Sequence, residues 1–207
     1  AHRKDGVARL EDFHKKLIAN KWLHGIEVVN DLTVSDEALQ IALDYDLTIM
    51  GTSDVHGLVD WRYGIQEGGH RPLTLVFAKE RSAASVREAL FNRQTVAFFN
   101  NTLIGRETYL NPLLQASIRF TEAKYDGNTK VLQVKIENTT GIPFQLQNRS
   151  PYTFHNFTDW VTVNKGETFL EIKTLETLDS VTLTFEVLNA LYAPGKHPVG
   201  SWEIKIQ

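Results

Sequence analysis

The chain has 207 residues, a formal net charge of −3, 42% hydrophobic residues and 23% charged residues. This composition is typical of a soluble globular protein with one large or two small domains, and the weakly negative charge makes nucleic acid an unfavoured partner. The absence of Cys excludes disulfides, Cys-ligated zinc and a thiol nucleophile. No apolar run reaches the length of a membrane span, and a cytoplasmic and a periplasmic or secreted location both fit.

The first half of the chain alternates helical and extended patterns. Apolar residues recur at helical spacing in three places, each of which predicts a helix: residues 7–21, the segment that follows a capping box at 33–36, and the segment that follows Ser82. Apolar, partly β-branched runs predict buried strands, which cover 25–30, 48–50, 73–78 and 94–99. This order predicts an α/β fold with a parallel sheet and crossover helices. Between the second and third strands, residues 57–72 predict a long loop of the kind that often carries function.

The second half changes to a period of two. Short alternating runs predict strands, which cover 116–120, 131–136, 143–146, 160–163, 169–172, 181–187 and 202–206. Turn-forming residues such as Asp126-Gly127-Asn128 separate them. Seven short strands of this kind predict a small β-sandwich. We therefore expect a domain boundary near residue 115, with an α/β part at 1–115 and a sandwich at 116–207.

Asp54 and His56 follow the predicted strand 48–50 and form the first candidate site. Alternate residues of an extended chain point to the same side, so the carboxylate and the imidazole can converge. Such an oxygen and nitrogen pair suits a divalent metal ion such as zinc, manganese or iron, although the same pair can cap a helix or hold a turn. Asn30 ends the strand 25–30 at the same expected edge, where it can orient loop residues or cap a turn.

His70 and Arg71 end the long loop just before a strand and, together with Asn30, are candidates for substrate binding. The guanidinium of Arg71 presents a fork that matches phosphate oxygens. A pair of Arg71 with Glu67 or Asp60 is the structural alternative.

Three further residues each have two readings. Trp61 and Tyr63 lie in the long loop, where they can shape a substrate pocket or pin the loop. Glu27 lies on a predicted buried strand, where its carboxylate can face a site or pair with a nearby cation.

Residues 25–30 (GIEVVN) and 49–56 (IMGTSDVH), with the run 69–81, resemble the C-terminal part of PHP domains. These are polymerase-and-histidinol-phosphatase-like, metal-dependent phosphoesterases. The run 69–81 is similar to a bacterial phosphodiesterase-like subgroup that carries a β-rich C-terminal domain, which agrees with the change of period.

The resemblance implies a distorted (β/α)7 barrel with a cluster of divalent metal ions at the carboxyl ends of the strands. Residues 1–115 would then be the C-terminal part of this barrel, and Asp54 and His56 the last two ligands of the cluster. The implied activity is hydrolysis of a small phosphodiester or phosphomonoester by metal-activated hydroxide.

The early His-x-His signature of the family has no counterpart here, because the histidines before Asp54 are His2, His14 and His24. We therefore expect a C-terminal fragment that is inactive without the N-terminal ligands. Its open edges would contact the missing N-terminal segment or form an oligomer. The alternative is a non-catalytic binding or scaffold protein, with a degenerate barrel and a β-sandwich, that binds a partner or a carbohydrate.

Overall fold

The computed structural model of the protein describes residues 6–207, so His2 lies outside the described residues. The chain divides into two compact units. The first comprises residues up to 110 together with 191–196, and the second comprises 111–190 and 197–207. The predicted boundary near residue 115 stays a prediction. Within residues 6–207, no helix combines the length and the apolar character needed to cross a membrane.

The first unit contains short helices and short strands. The helices are α1 (Asp12–Ala19), α2 (Asp36–Asp44), α3 (Val59–Arg62), α4 (Ala83–Phe91) and α5 (Glu107–Ser117), the last of which continues into the second unit. The strands are β1 (Gly25–Asn30), β2 (Thr33–Val34), β3 (Thr48–Thr52), β4 (Leu73–Val76), β5 (Thr95–Phe99) and β6 (Thr102–Gly105). Ser35 and Ser82 cap α2 and α4, since each hydroxyl accepts a hydrogen bond from an amide of the first turn.

These strands form two small sheets. In the first, β1 lies between β2 and β3, pairing antiparallel with β2 and parallel with β3. In the second, β5 pairs antiparallel with both β4 and β6. Asn100 and Asn101 connect β5 to β6 with φ values of 47° and 58°. Two consecutive left-handed residues are the geometry of a tight hairpin turn.

The fold class predicted for the first half is wrong. An α/β barrel portion requires parallel strands joined by crossover helices, but β4, β5 and β6 are antiparallel and strands dominate the structure. The helices are short, from 4 residues in α3 to 11 residues in α5. The unit is therefore two separate small sheets and not part of a (β/α)7 barrel.

Threonine side chains explain why the parallel pairing ends at β3. The Thr95 hydroxyl donates to the carbonyl oxygen of Ile49 at 2.7 Å. The Thr74 hydroxyl donates to the Gly51 carbonyl at 2.9 Å and accepts from the Gly51 amide at 3.0 Å. Side chains thus satisfy backbone groups of β3 that a continuous sheet would pair with another strand.

The core of the first unit lies between β1, β3 and α2. Its buried residues come from these elements and from β5 and β6, and they are Val28, Val29, Ala38, Leu39, Ala42, Leu47, Ile49, Ala97 and Ile104. Partly buried Leu191 packs against this cluster, although it lies far along the chain. The packing anchors the strand ends from which the candidate site projects.

The second unit is a sandwich of two four-stranded antiparallel sheets. Its strands are β7 (Ile118–Tyr125), β8 (Val131–Asn138), β9 (Phe144–Asn148), β10 (Thr153–Phe154), β11 (Trp160–Val163), β12 (Gly166–Lys173), β13 (Ser180–Val187) and β15 (Val199–Lys205). The two-residue strand β14 (Ala190–Leu191) lies outside these two sheets, and its Leu191 groups with the first unit. The sheet orders are β10-β12-β8-β7 and β11-β9-β13-β15. The predicted β-sandwich is confirmed.

Aromatic side chains from both sheets fill the centre of the sandwich. Phe185 of β13 lies 6.1 Å from Phe120 of β7 and 6.0 Å from Phe154 of β10, measured between ring centroids. Trp202 of β15 packs against Phe120 at 5.4 Å and donates its indole N–H to the Ile118 carbonyl at 3.2 Å. The alternation of buried and exposed residues along the strands therefore produces one inter-sheet core.

Candidate functional site

The candidate site lies where β1 and β3 end side by side. Asn30 and Thr52 are register partners in the parallel pair, so the residues that follow them leave the sheet together. The amide of Asp31 donates to the Thr52 carbonyl at 3.2 Å, which extends this connection by one step. Asp31 and Asp54 both have left-handed backbones, with φ values of 51° and 44°. At each of these residues the chain therefore turns sharply after its strand, in a conformation that non-glycine residues adopt rarely.

Asp54 and His56 lie close together, although the backbone of Asp54 is left-handed and not extended as the sequence argument assumed. Oδ1 of Asp54 lies 3.5 Å from Nε2 of His56, and the side chains are 52% and 90% exposed. Both line an open cleft of about 530 Å³, together with Asn30, Asp31, Thr33, Val55, Gly57, Leu58 and Arg62. A carboxylate oxygen and an imidazole nitrogen thus face one solvent-accessible space.

Asp31 and Arg62 form the strongest electrostatic contact at this cleft. Nε of Arg62 donates to Oδ1 of Asp31 at 2.9 Å, and Nη2 donates to Oδ2, so the pair is bidentate. The hydrogen bonds from Arg62 hold the pKa of Asp31 below its usual value, and the carboxylate in turn raises the pKa of Arg62. Asp31 is therefore ionised and engaged on one side of the cleft.

Tyr63 connects this ion pair to the loop that carries Asp54. Its hydroxyl donates to the Ser53 carbonyl at 2.7 Å and lies 3.2 Å from Oδ1 of Asp31. The side chain is buried, with 7% of the residue exposed, and its ring meets Phe99 edge-on at 6.3 Å. Burial first, and the hydrogen bond to Asp31 second, raise the pKa of Tyr63, so it remains a neutral donor.

Below the cleft, Glu27 ties the two strand ends together. Oε2 of Glu27 accepts from Nδ2 of Asn30 at 2.8 Å, and Oε1 accepts from the Thr52 hydroxyl at 2.7 Å. The Asn30 carbonyl also accepts from the Thr33 hydroxyl at 2.7 Å. Asn30 thus lines the cleft while its amide group is bonded to a neighbouring carboxylate.

His70 lines a second cleft, of about 230 Å³, which shares Arg62 with the first. Its ring stacks on Phe98 at 4.4 Å with an interplanar angle of 9°. Nδ1 donates to the Arg71 carbonyl at 3.0 Å. Nε2 is buried and has no hydrogen-bond partner among the described residues. Arg71 is exposed and lines neither cleft.

Reasoning from the sequence missed Asp31 and Arg62. Asp31 directly follows a predicted strand, as the metal-ligand candidates do, so its position at a strand end was the available signal. Arg62 lies in the long loop between Trp61 and Tyr63 without any pattern to mark it. The pair becomes evident only when the loop folds back over the end of β1.

The donors present fit a divalent metal ion in kind but supply part of a coordination shell. Asp54 and His56 offer one oxygen and one nitrogen, whereas catalytic zinc sites use three protein ligands. Within residues 6–207, no group of three or more His, Asp or Glu side chains is arranged to hold a metal ion. Further ligands would have to come from outside the described residues.

The fold and the site define a two-unit protein with a strand-end Asp/His pair on one unit and a β-sandwich as the other. A family model described as an Ig-like domain matches residues 118–203, which covers most of the sandwich. No curated protein matches the sequence significantly.

A solved structure resembles both units. It is the crystal structure of a two-domain protein from Bacteroides vulgatus ATCC 8482 that contains a predicted PHP-like metal-dependent phosphoesterase. The sequence identity is 32%, the TM-score is 0.87, and the match covers 97% of this chain and 58% of that chain. The present chain therefore spans somewhat more than half the length of that protein.

Proposed function

We propose that this chain is the C-terminal portion of a metal-dependent phosphoesterase and contributes Asp54 and His56 as two metal ligands. The observation that carries the proposal is the convergence of Oδ1 of Asp54 and Nε2 of His56, 3.5 Å apart, on an open cleft. The solved structure described as PHP-like and metal-dependent supports the assignment, because it resembles 97% of this chain.

The two ligands would act as a fixed and a mobile donor. Asp54 lies two residues beyond the end of β3 and has a left-handed backbone, a conformation that limits where its carboxylate can lie. His56 is 90% exposed and can rotate to complete a coordination geometry. A bound divalent ion would supply Lewis-acid activation of water and of the phosphate ester. The remaining ligands would come from outside the described residues.

The proposed substrate is a small phosphate ester, and three side chains would bind it. Arg71 has an exposed guanidinium and makes no ion pair with any described residue, so its fork can bind phosphate oxygens. His70 lines the adjacent cleft, which shares Arg62 with the cleft of Asp54. Asn30 borders the cleft of Asp54, where its contact with Glu27 fixes the side chain.

The test compares the full-length enzyme with Asp54→Ala and His56→Ala. We expect each variant to lose at least about tenfold in metal affinity and to lose hydrolysis of bis-p-nitrophenyl phosphate, because each removes a direct ligand. Asp60→Ala is the matched control, since Asp60 is exposed in the first turn of α3, which directly follows the loop. Full metal content and full activity in both ligand variants would show that the assignment is wrong.

A further inference from the structure

The backbone ahead of Asp54 is held by a set of contacts that the metal assignment does not require. Asp31, Arg62 and Tyr63 form this set, which we call the Asp31 clamp. Arg62 binds the Asp31 carboxylate through two nitrogens, and Tyr63 lies next to Arg62 in the chain. The clamp therefore joins the end of β1 to the loop that begins at α3.

The clamp reaches the Asp54 loop at two backbone carbonyls. The Asp31 amide donates to the Thr52 carbonyl at 3.2 Å, and the Tyr63 hydroxyl donates to the Ser53 carbonyl at 2.7 Å. These are the two residues directly before Asp54. Asp54 has a left-handed conformation, which is unfavourable at a non-glycine residue and persists where surrounding contacts over-determine it. The two hydrogen bonds supply such contacts at Asp54.

Burial makes the Tyr63 contact stronger than a surface hydrogen bond. The residue is 7% exposed, and its hydroxyl has a single hydrogen facing two acceptors, of which the Ser53 carbonyl is the closer. The guanidinium of Arg62 neutralises the Asp31 carboxylate beside it, so the phenol oxygen does not face an unpaired charge. Loss of any clamp member leaves a polar group in this region without its partner.

We infer that Tyr63, held by the Asp31–Arg62 pair, is a positioning residue that fixes the backbone direction of Asp54 and thereby sets the metal affinity of the Asp54/His56 pair. The link to metal affinity rests on the proposed function, whereas the ordering of the loop does not. Ligand pairs that are oriented before binding lose less conformational entropy when the ion arrives.

The experiment uses Tyr63→Phe in the full-length protein, which removes one hydroxyl and keeps the buried ring. Tyr45→Phe is the matched control, because Tyr45 is exposed and its hydroxyl makes no hydrogen bond with a described residue. Amide hydrogen exchange over residues 51–58 and at Asp31 reports the loop, and calorimetric titration with Mn²⁺ reports the metal site. We expect Tyr63→Phe to accelerate exchange about tenfold and to weaken Mn²⁺ binding about three- to tenfold, with activity restored by excess Mn²⁺.

The outcomes separate the two proposals. Unchanged exchange in Tyr63→Phe would overturn the clamp whatever the metal does. Faster exchange with unchanged Mn²⁺ affinity would overturn the positioning role. If the parent protein binds no Mn²⁺ and Tyr63→Phe still exchanges faster, Tyr63 orders the loop but the phosphoesterase assignment is wrong. Activity that excess Mn²⁺ does not restore would indicate a loss of fold and contradict the positioning role.

Discussion

The hydroxyl oxygen of Tyr63 lies 2.7 Å from the carbonyl oxygen of Ser53, so the long loop contacts the chain immediately before Asp54. Ten residues separate the two partners, and the segment between them contains the other candidate ligand, His56. The geometry of the candidate site therefore depends on how this segment closes upon itself, and not on the end of β3 alone.

The ion pair at the cleft predicts a specific acid sensitivity. Arg62 holds the pKa of Asp31 below the ordinary value of 3.8, so the stabilisation by this carboxylate is present above about pH 4 and is lost as the pH falls through the lower, folded-state pKa. We expect the thermal midpoint of the parent protein to fall more steeply below pH 4 than that of Asp31→Asn. Thermal denaturation between pH 3 and pH 6 measures the difference. Asp126→Asn, in an exposed turn, serves as the control, and parallel curves for the parent and Asp31→Asn would refute the prediction.

Gly69 predicts a steric test of the loop. A Cβ atom at this position would lie 1.9 Å from the Tyr63 carbonyl oxygen and 3.0 Å from that of Gly64, while the Gly69 amide already donates to Gly64. Gly69→Ala must therefore displace the backbone of Tyr63, and we expect a loss of about 1–3 kcal/mol in the free energy of unfolding. Thermal denaturation and hydrogen exchange over residues 57–72 measure it.

Gly141→Ala is the control for Gly69, since a Cβ there meets nothing within 4 Å. We expect its effect to stay within about 0.5 kcal/mol. Equal stability of the two alanine variants would mean that the close approach of Gly69 to Tyr63 does not occur.

The sandwich core predicts a large and local effect at Phe185. This side chain is fully buried and packs against Phe120 and Phe154 of the opposite sheet and Trp202 of its own sheet, so Phe185→Ala should cost about 3–5 kcal/mol of unfolding free energy. Phe169→Ala is the matched control, because Phe169 is 55% exposed on β12. Denaturant unfolding followed by near-ultraviolet circular dichroism compares them. Similar losses in the two variants would contradict the inter-sheet packing.

The sequence predicts much of the sandwich because each strand carries its own signal. In β8, Leu132, Val134 and Ile136 are buried and alternate with less buried neighbours, as the period of two requires. The two-residue strand β10 was missed, because Thr153 and Phe154 are too few to show any period. The alternation of apolar and polar residues therefore predicts a strand only where the strand is long enough to repeat that alternation.

The first unit shows why the sheet arrangement could not be predicted. The strands β1 and β3 were expected from their apolar runs, but their partners depend on side chains such as Thr95, which bonds to the Ile49 carbonyl across 46 residues. Asn100 and Asn101 reverse the chain into a hairpin, so β6 pairs with β5, which no pattern in the sequence predicted. Asp54 and His56 could be paired from the sequence because they are two residues apart, whereas the contact of Arg62 with Asp31 joins residues that are 31 positions apart and leaves no local pattern.

Leu191 completes the packing of the first unit only after the chain has passed through residues 111–190 of the second. A ribosome making this protein releases nearly all of the first unit long before the segment 191–196 emerges. Until then the core around Val28 and Leu39 lacks one of its covering side chains. The final consolidation of that core is thus deferred until the sandwich strands β7 to β13 have been synthesised, and β15, the last strand of the sandwich, follows directly after Leu191 has emerged.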